Sequence, residues 1–155
     1  VRFVVRDFGK VDALAIAAWR YPPPYDVYDE ANDPDDLERL MDETNWPGVF
    51  FAVDDADAEV LAGFVELHRD GDEVEVGVGM RPDLTGRRLG PSFVETALAF
   101  ARDRWSPASF ALDVFPWNER AIRAYEHAGF LRGEVYVRTY PNGVERTFLR
   151  MTRPA

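Results

Sequence analysis

From Glu73 to Met80 the chain alternates with period two, placing Val74, Val76, Val78 and Met80 on one face. That is the pattern of a strand with one buried side. Pro82 closes the run, Gly86 and Gly90 mark a loop, and the period then changes. Phe93, Ala97, Ala101 and Trp105 are four apart, with Val94, Leu98 and Phe100 widening the stripe, which predicts a helix packed on a sheet. The same reading predicts strands at Val1–Arg6, Val49–Val53, Val60–His68 and Phe110–Val114. A hairpin of Val135–Tyr140 and Val144–Met151 is expected about a type I′ turn at Asn142-Gly143. Asp7 is expected to cap a first helix running to about Arg20, with Val11, Leu14, Ala15, Ala18 and Trp19 inward, and Asp33-Pro34 to open a second with Leu37, Leu40 and Met41 inward. Glu119–His127 is the fourth helix, stopped at Gly129, where a left-handed residue is favoured. Gly77 and Gly79 inside a strand suggest a bulge or the close approach of a ligand to the backbone. Three prolines hold Tyr21–Tyr28 out of a helix and favour polyproline geometry, so its tyrosines either line a cleft or form a packed connector.

Strands alternating with helices give an α/β expectation: a mixed, twisted sheet of about six or seven strands with four helices on its two faces. At 155 residues one domain, residues 1–155, holds a full core. The chain has no cysteine, which excludes disulfides, thiolate metal sites and a cysteine nucleophile. Two histidines, His68 and His127, are too few for a usual zinc site, so no metal is expected. A net charge of −10 argues against nucleic acid as a partner, and no apolar run is long enough for a membrane span. A cytoplasmic protein is the expectation.

A strand, a Gly-containing loop and a helix in succession direct free N–H groups and the positive helix end at one spot, which suits a phosphate. Pro91 fits the first helical turn, so the donors would come from Arg87, Arg88, Leu89, Gly90 and Ser92, with two guanidiniums adding charge. An ordinary strand-to-helix connection has the same spacing, and both readings stand at this point. A Walker loop is excluded because Lys10 is the only lysine. A dinucleotide fingerprint is excluded because Pro82 follows Gly77-x-Gly79 where a third glycine belongs.

The stretch resembles the acyl-CoA motif Q/R-x-x-G-x-G/A of the GNAT superfamily of N-acetyltransferases. Thr85 takes the first position, Arg88 the place of the first glycine and Gly90 the last; in a shifted register Arg87 and Gly90 match, with Pro91 inside the motif. A second signature, Asn118-x-x-Ala121-x-x-x-Tyr125-x-x-x-Gly129-Phe130, matches that family at every position. The resemblance implies acetyl transfer from acetyl-CoA to a primary amine by direct attack in a ternary complex. Val78, Gly79 and Met80 would then pair with the pantetheine arm or bind the oxyanion, Asn118 would contact CoA, and Tyr125 would protonate the leaving thiolate. By residue type alone Tyr125 reads as a core aromatic and Asn118 as an N-cap. A general base is expected among Glu75, Glu73 and Glu66, with Glu75 preferred for its position nearest Gly77–Met80. A non-catalytic acyl-CoA sensor on the same fold is the alternative.

Charge is divided unevenly. Residues 1–80 carry 20 acids and 6 bases, and residues 81–155 carry 8 acids and 12 bases. Asp26–Glu59 holds 13 acids against the single base Arg39. In the family resembled, this region borders the acceptor, so the expected partner is a small-molecule or peptide amine with further positive charge. A second copy of the chain, forming a homodimer, is the other partner considered.

Overall fold

A computed structural model describes all residues, Val1–Ala155. One mixed sheet holds seven strands: β1 (Phe3–Asp7), β2 (Phe50–Asp55), β3 (Val60–Asp70), β4 (Glu73–Met80), β5 (Ser109–Val114), β6 (Leu131–Thr139) and β7 (Glu145–Pro154), in the order β1-β2-β3-β4-β5-β7-β6. The helices are α1 (Lys10–Ala17), α2 (Pro34–Met41), α3 (Gly90–Trp105) and α4 (Glu119–His127). No helix is long and apolar enough to cross a membrane. The chain divides into two compact units, one of Val1–Glu66 with Val78–Thr85, the other of Leu67–Gly77 with Gly86–Ala155.

In the first unit, β1 pairs antiparallel with β2, and β2 with β3 across a register shift at Val53/Asp54. Its core joins Ala13, Ile16, Leu40 and Phe50, with Phe8, Trp19 and Trp46 packed around them. Asp33 caps α2 as its sequence predicts, accepting from Asp36 N–H at 3.1 Å, with Pro34 in the first turn. The first helix departs from expectation. Its N-cap is Gly9, not Asp7, and it ends at Ala17. The inward residues are Asp12, Ala13 and Ile16, while Val11 and Leu14 are 81% and 53% exposed. Asp12 turns inward because it accepts from Gly9 N–H at 2.9 Å and from both terminal nitrogens of Arg6. The Tyr21–Tyr28 loop is not extended polyproline: Tyr25 N–H closes a turn onto Pro22 C=O at 2.8 Å, and Tyr25–Tyr28 is a 3₁₀ turn.

Gly79 meets a side chain of its own unit. A Cβ there would stand 2.1 Å from the Phe64 ring, so a packed aromatic already requires glycine at this position. Gly79→Ala is expected to cost about 2 kcal/mol through overpacking, measured as a lowered urea midpoint. A midpoint equal to wild type would show that Phe64 moves aside freely.

In the second unit, β4 runs parallel to β5 over Glu73–Glu75 against Ser109–Ala111, and β5 pairs antiparallel with β7 from Ser109↔Pro154 to Val114↔Leu149. The stripe of α3 supplies the buried residues Phe93, Val94, Ala97, Leu98 and Ala101, and burying a side chain as large as Phe93 or Leu98 contributes roughly 1.5–3 kcal/mol. β6 and β7 form the expected hairpin, extended to Leu131–Thr139 and Glu145–Pro154. Its turn is not type I′. Gly143 N–H bonds Tyr140 C=O at 2.8 Å, and of the loop residues only Gly143 has positive φ, +84°. Pro141 presets the first turn position, and Gly143 supplies the left-handed residue of a three-residue loop.

Candidate functional site

The loop before α3 is bent by two left-handed residues, Gly86 at φ +72° and Arg88 at φ +61°. Arg88, in the place of the family glycine, thus adopts a left-handed conformation, which glycine enters at no steric cost. Leu89 is the N-cap of α3 and supplies no side-chain cap, and the first turn carries no acid. Its leading N–H groups, less that of Pro91, therefore meet the loop with the positive end of the helix. Gly86, Arg87, Arg88 and Ser92 are exposed; Leu89 and Gly90 are half-buried.

This loop and α4 lie together. A Cβ on Gly90 would stand 3.0 Å from Ala124 Cβ, so glycine there seats the start of α3 against α4. Arg120 Nη1 lies 3.5 Å from where a Gly86 Cβ would be, which adds a third guanidinium to the loop. The sequence reading overlooked Arg120. Its signal is a cation in the first turn of a helix, where the macrodipole disfavours one. The geometry fits an anionic phosphate ligand: three guanidiniums and an uncapped helix start, with glycine where bulk would block packing.

Asn118 is the N-cap of α4, its Oδ1 accepting from Ala121 N–H at 3.1 Å, and is 5% exposed. Seven residues on, Tyr125 is half-buried, with its ring edge-on to Phe130 at 6.1 Å. Phe130 N–H bonds Tyr125 C=O at 3.0 Å, and Gly129 stands at φ +91°, closing the helix as expected.

Glu73 and Glu75 share a face with Asp113 and Arg150. Arg150 pairs with Glu73 at 3.1 Å, Glu75 at 3.2 Å and Asp113 at 3.3 Å. Asp113 also accepts from Tyr136 Oη at 2.6 Å and Arg138 at 2.9 Å. Burial, then the hydrogen bond to Asp113, pushes the Tyr136 phenol above its ordinary value. Glu66 belongs to the first unit, where it is hydrogen-bonded to Arg39.

Also in the first unit, Met80 C=O accepts from Tyr21 Oη at 2.7 Å, so a loop tyrosine fixes the end of the Val78–Met80 segment. Arg39, the lone base among the acids, is held by Glu66 and Asp36. Glu30 has a buried Oε2 with no hydrogen-bond partner. Burial, and then Asp36, pushes its carboxyl up to about 7. Between its ordinary value of 4.5 and about 7, folding takes up a proton, so Glu30 weakens the fold progressively as pH rises through that window. Glu30→Gln should therefore stabilise by about 1–2 kcal/mol at pH 8, discounted for partial exposure, and by nearly nothing at about pH 4.5. Urea titrations at the two pH values check this; an equal difference at both would contradict it.

The sequence model of the acetyltransferase (GNAT) family matches residues 13–130. The chain belongs to this family. Among curated proteins none matches significantly by sequence. Among solved structures, a GNAT-family acetyltransferase from Bacillus anthracis superposes with a TM-score of 0.76 at 16% identity, covering 99% of this chain and 95% of that one. A spermidine N-acetyltransferase from Vibrio cholerae in complex with CoA and spermine superposes with a TM-score of 0.69 at 22% identity, covering 98% and 95%. A chimera of the Vibrio cholerae enzyme with hSSAT gives 0.69 at 23% identity, covering 98% and 95%. The GNAT fold is thus shared over nearly the whole chain, and the α/β architecture and family read from the two motifs hold.

Proposed function

We propose that this GNAT acetyltransferase moves the acetyl group of acetyl-CoA to a primary amine by direct attack, and that the amine carries positive charge beyond its reacting nitrogen. The observation that carries the reading is the loop Gly86–Ser92: in a GNAT chain it combines left-handed bends, an uncapped helix start and the guanidiniums of Arg87, Arg88 and Arg120. When bound, acetyl-CoA supplies an activated thioester. Backbone groups of Arg87–Ser92 would hold its pyrophosphate and Asn118 its pantetheine. The chain has no cysteine to carry the acetyl group, which favours transfer in one step. Tyr125 is assigned as the acid, holding a proton on its phenol oxygen for the leaving sulfur. Glu75 is the preferred base for the amine proton, with its position fixed by Arg150.

The charge of the acceptor follows from the acids gathered in the first unit, Glu30, Asp33, Asp36 and Glu66, around the single base Arg39. Spermine in the Vibrio cholerae complex is a polycation, which agrees with this reading.

The test is a screen with acetyl-CoA against polyamines, amino acids, aminoglycosides and peptide N-termini, following free thiol. Turnover on a polycation that falls with added salt, beside a neutral amine that does not respond, supports the proposal. Preference for the neutral amine overturns the charge assignment, and turnover on any of them excludes a pure sensor. For the loop, acetyl-CoA should raise thermal stability, because it binds only the folded state. Arg87→Glu with Arg88→Glu should remove most of that shift by placing carboxylates beside the pyrophosphate. A full shift in the double variant would show that the loop does not hold CoA.

A further inference from the structure

Strand β6 is the last of the sheet, with β7 on one side and no strand on the other. It is bulged near its start: the register slips between Arg132 and Val135, and a Cβ on Gly133 would stand 2.8 Å from Arg150 C=O. From Val135 to Thr139 the ladder is regular, Val135↔Leu149 through Thr139↔Glu145. Along such a strand, residues that exchange hydrogen bonds with the neighbour alternate with residues whose N–H and C=O point away from it. The phase is set at the hairpin end, where Tyr140 N–H donates to Val144 C=O at 2.8 Å. Counting back in twos, Arg138 and Tyr136 also bond β7, so Val135, Val137 and Thr139 turn their N–H and C=O outward. The open ladder is apolar as well. Val135 is 60% and Val137 55% exposed, and Val135–Thr139 contains neither proline nor lysine, the usual guards of an edge strand. Free ladder groups beside exposed β-branched side chains form a surface for another strand.

Charge selects which strand. When β6 pairs antiparallel with a second β6, outward residues face outward residues, which allows three central registers. Centred on Val135, Arg132 would face Arg138, a pair of like charges. Centred on Val137, Glu134 would face Tyr140 and Arg138 would face Tyr136. Centred on Tyr136, Glu134 faces Arg138 on both sides of the axis, and Val135 faces Val137 twice. Glu134 and Arg138 then oppose each other at non-hydrogen-bonded positions, where cross-strand side chains are closest. Both can be reached. Glu134 is exposed, and the Arg138 side chain is 39% exposed. Arg138 gives Asp113 and Tyr136 a single nitrogen, Nη2, of a group with five N–H donors.

We infer that the edge of β6 is an interaction surface for a second copy of this chain, the two β6 strands running antiparallel about a two-fold axis at Tyr136. Val135 and Val137 supply the ladder bonds and the apolar contact, and Glu134 with Arg138 fixes the register. The inference does not depend on the proposed reaction.

The experiment is sedimentation equilibrium of the full chain as wild type, Glu134→Arg and Val137→Pro, with circular dichroism to confirm folding. Glu134→Arg, at an exposed position, sets like charges opposite Arg138 on both sides of the axis. Val137→Pro removes an outward N–H and no bond to β7, which an edge strand tolerates. The wild type is expected to be a concentration-dependent dimer, and each folded variant to raise its dissociation constant by about tenfold or more. Because the chain has no cysteine of its own, Val135→Cys with Val137→Cys tests the register directly: oxidation should yield a covalent dimer. A wild type that stays monomeric up to roughly millimolar concentration overturns the inference. So does a dimer that Glu134→Arg leaves unchanged, growth beyond a dimer, or a double-cysteine variant that does not link. If Val137→Pro does not fold, Glu134→Arg and the cysteine pair decide.

Discussion

Tyr125→Phe is expected to lower kcat by roughly ten- to a thousand-fold, within or just below the range for loss of one acid–base group. The substitution isolates the hydroxyl. The ring of Tyr125 is held edge-on to Phe130, and its carbonyl closes the end of α4, both of which phenylalanine preserves. Asn118 continues to cap the other end of the helix. Calorimetric affinity for acetyl-CoA should therefore change little, while steady-state thiol release falls. An unchanged kcat would return Tyr125 to a packing role, and a parallel loss of affinity would show that the hydroxyl binds rather than protonates.

Arg6→Leu is expected to destabilise the fold by about 3 kcal/mol, at the low end for breaking a buried pair because Arg6 is itself 43% exposed. Arg6 bridges Asp12, at 2.9 and 2.8 Å, and Asp54, at 2.6 and 3.0 Å, and so ties α1 to the β1–β2 pair. Without it, the 7% exposed carboxylate of Asp12 keeps only Gly9 N–H. Burial, the largest single influence, pushes the Asp12 carboxyl up, but the bonds from Arg6 and Gly9 together outweigh it and hold it below the ordinary 3.8. The contribution is therefore complete above that ordinary value and is lost as pH falls through the lower folded one. The deficit of the variant in urea should shrink in strong acid, and Arg6→Leu with Asp12→Leu should recover much of it at neutral pH. A deficit below about 1 kcal/mol at pH 7 would mean that the pair is a surface contact.

Local rules written in adjacent residues were legible from the chain alone. The alternation of Glu73–Met80 specified β4 to the residue, because a period of two needs no distant partner to be recognised. Asp33-Pro34 opened α2, and Asn118 and Gly129 bounded α4, because caps and left-handed stops act within one turn. The two motifs, which run from Thr85 to Gly90 and from Asn118 to Phe130, carried the family for the same reason. What failed depended on partners that the periodicity and the turn pair do not encode. Asp12 took the inward place expected of Val11 and Leu14 because Arg6 and Gly9 met it there, and periodicity carries no information on such a partner. Gly77 and Gly79 suggested a bulge or a ligand's approach, but that the ring of Phe64, fifteen residues earlier, leaves no room for a side chain at Gly79 was not legible. Pro141 changed the hairpin turn that Asn142-Gly143 would otherwise form, an effect visible only once the strands' ends were known. The placement of β7 between β5 and β6 gathered Glu73, Glu75 and Asp113 around Arg150 across separations of up to 77 residues. Sequence determined which segments form strands and helices and which family they compose. Tertiary structure decided which charges meet, because strand order and register bring together residues that no local pattern relates.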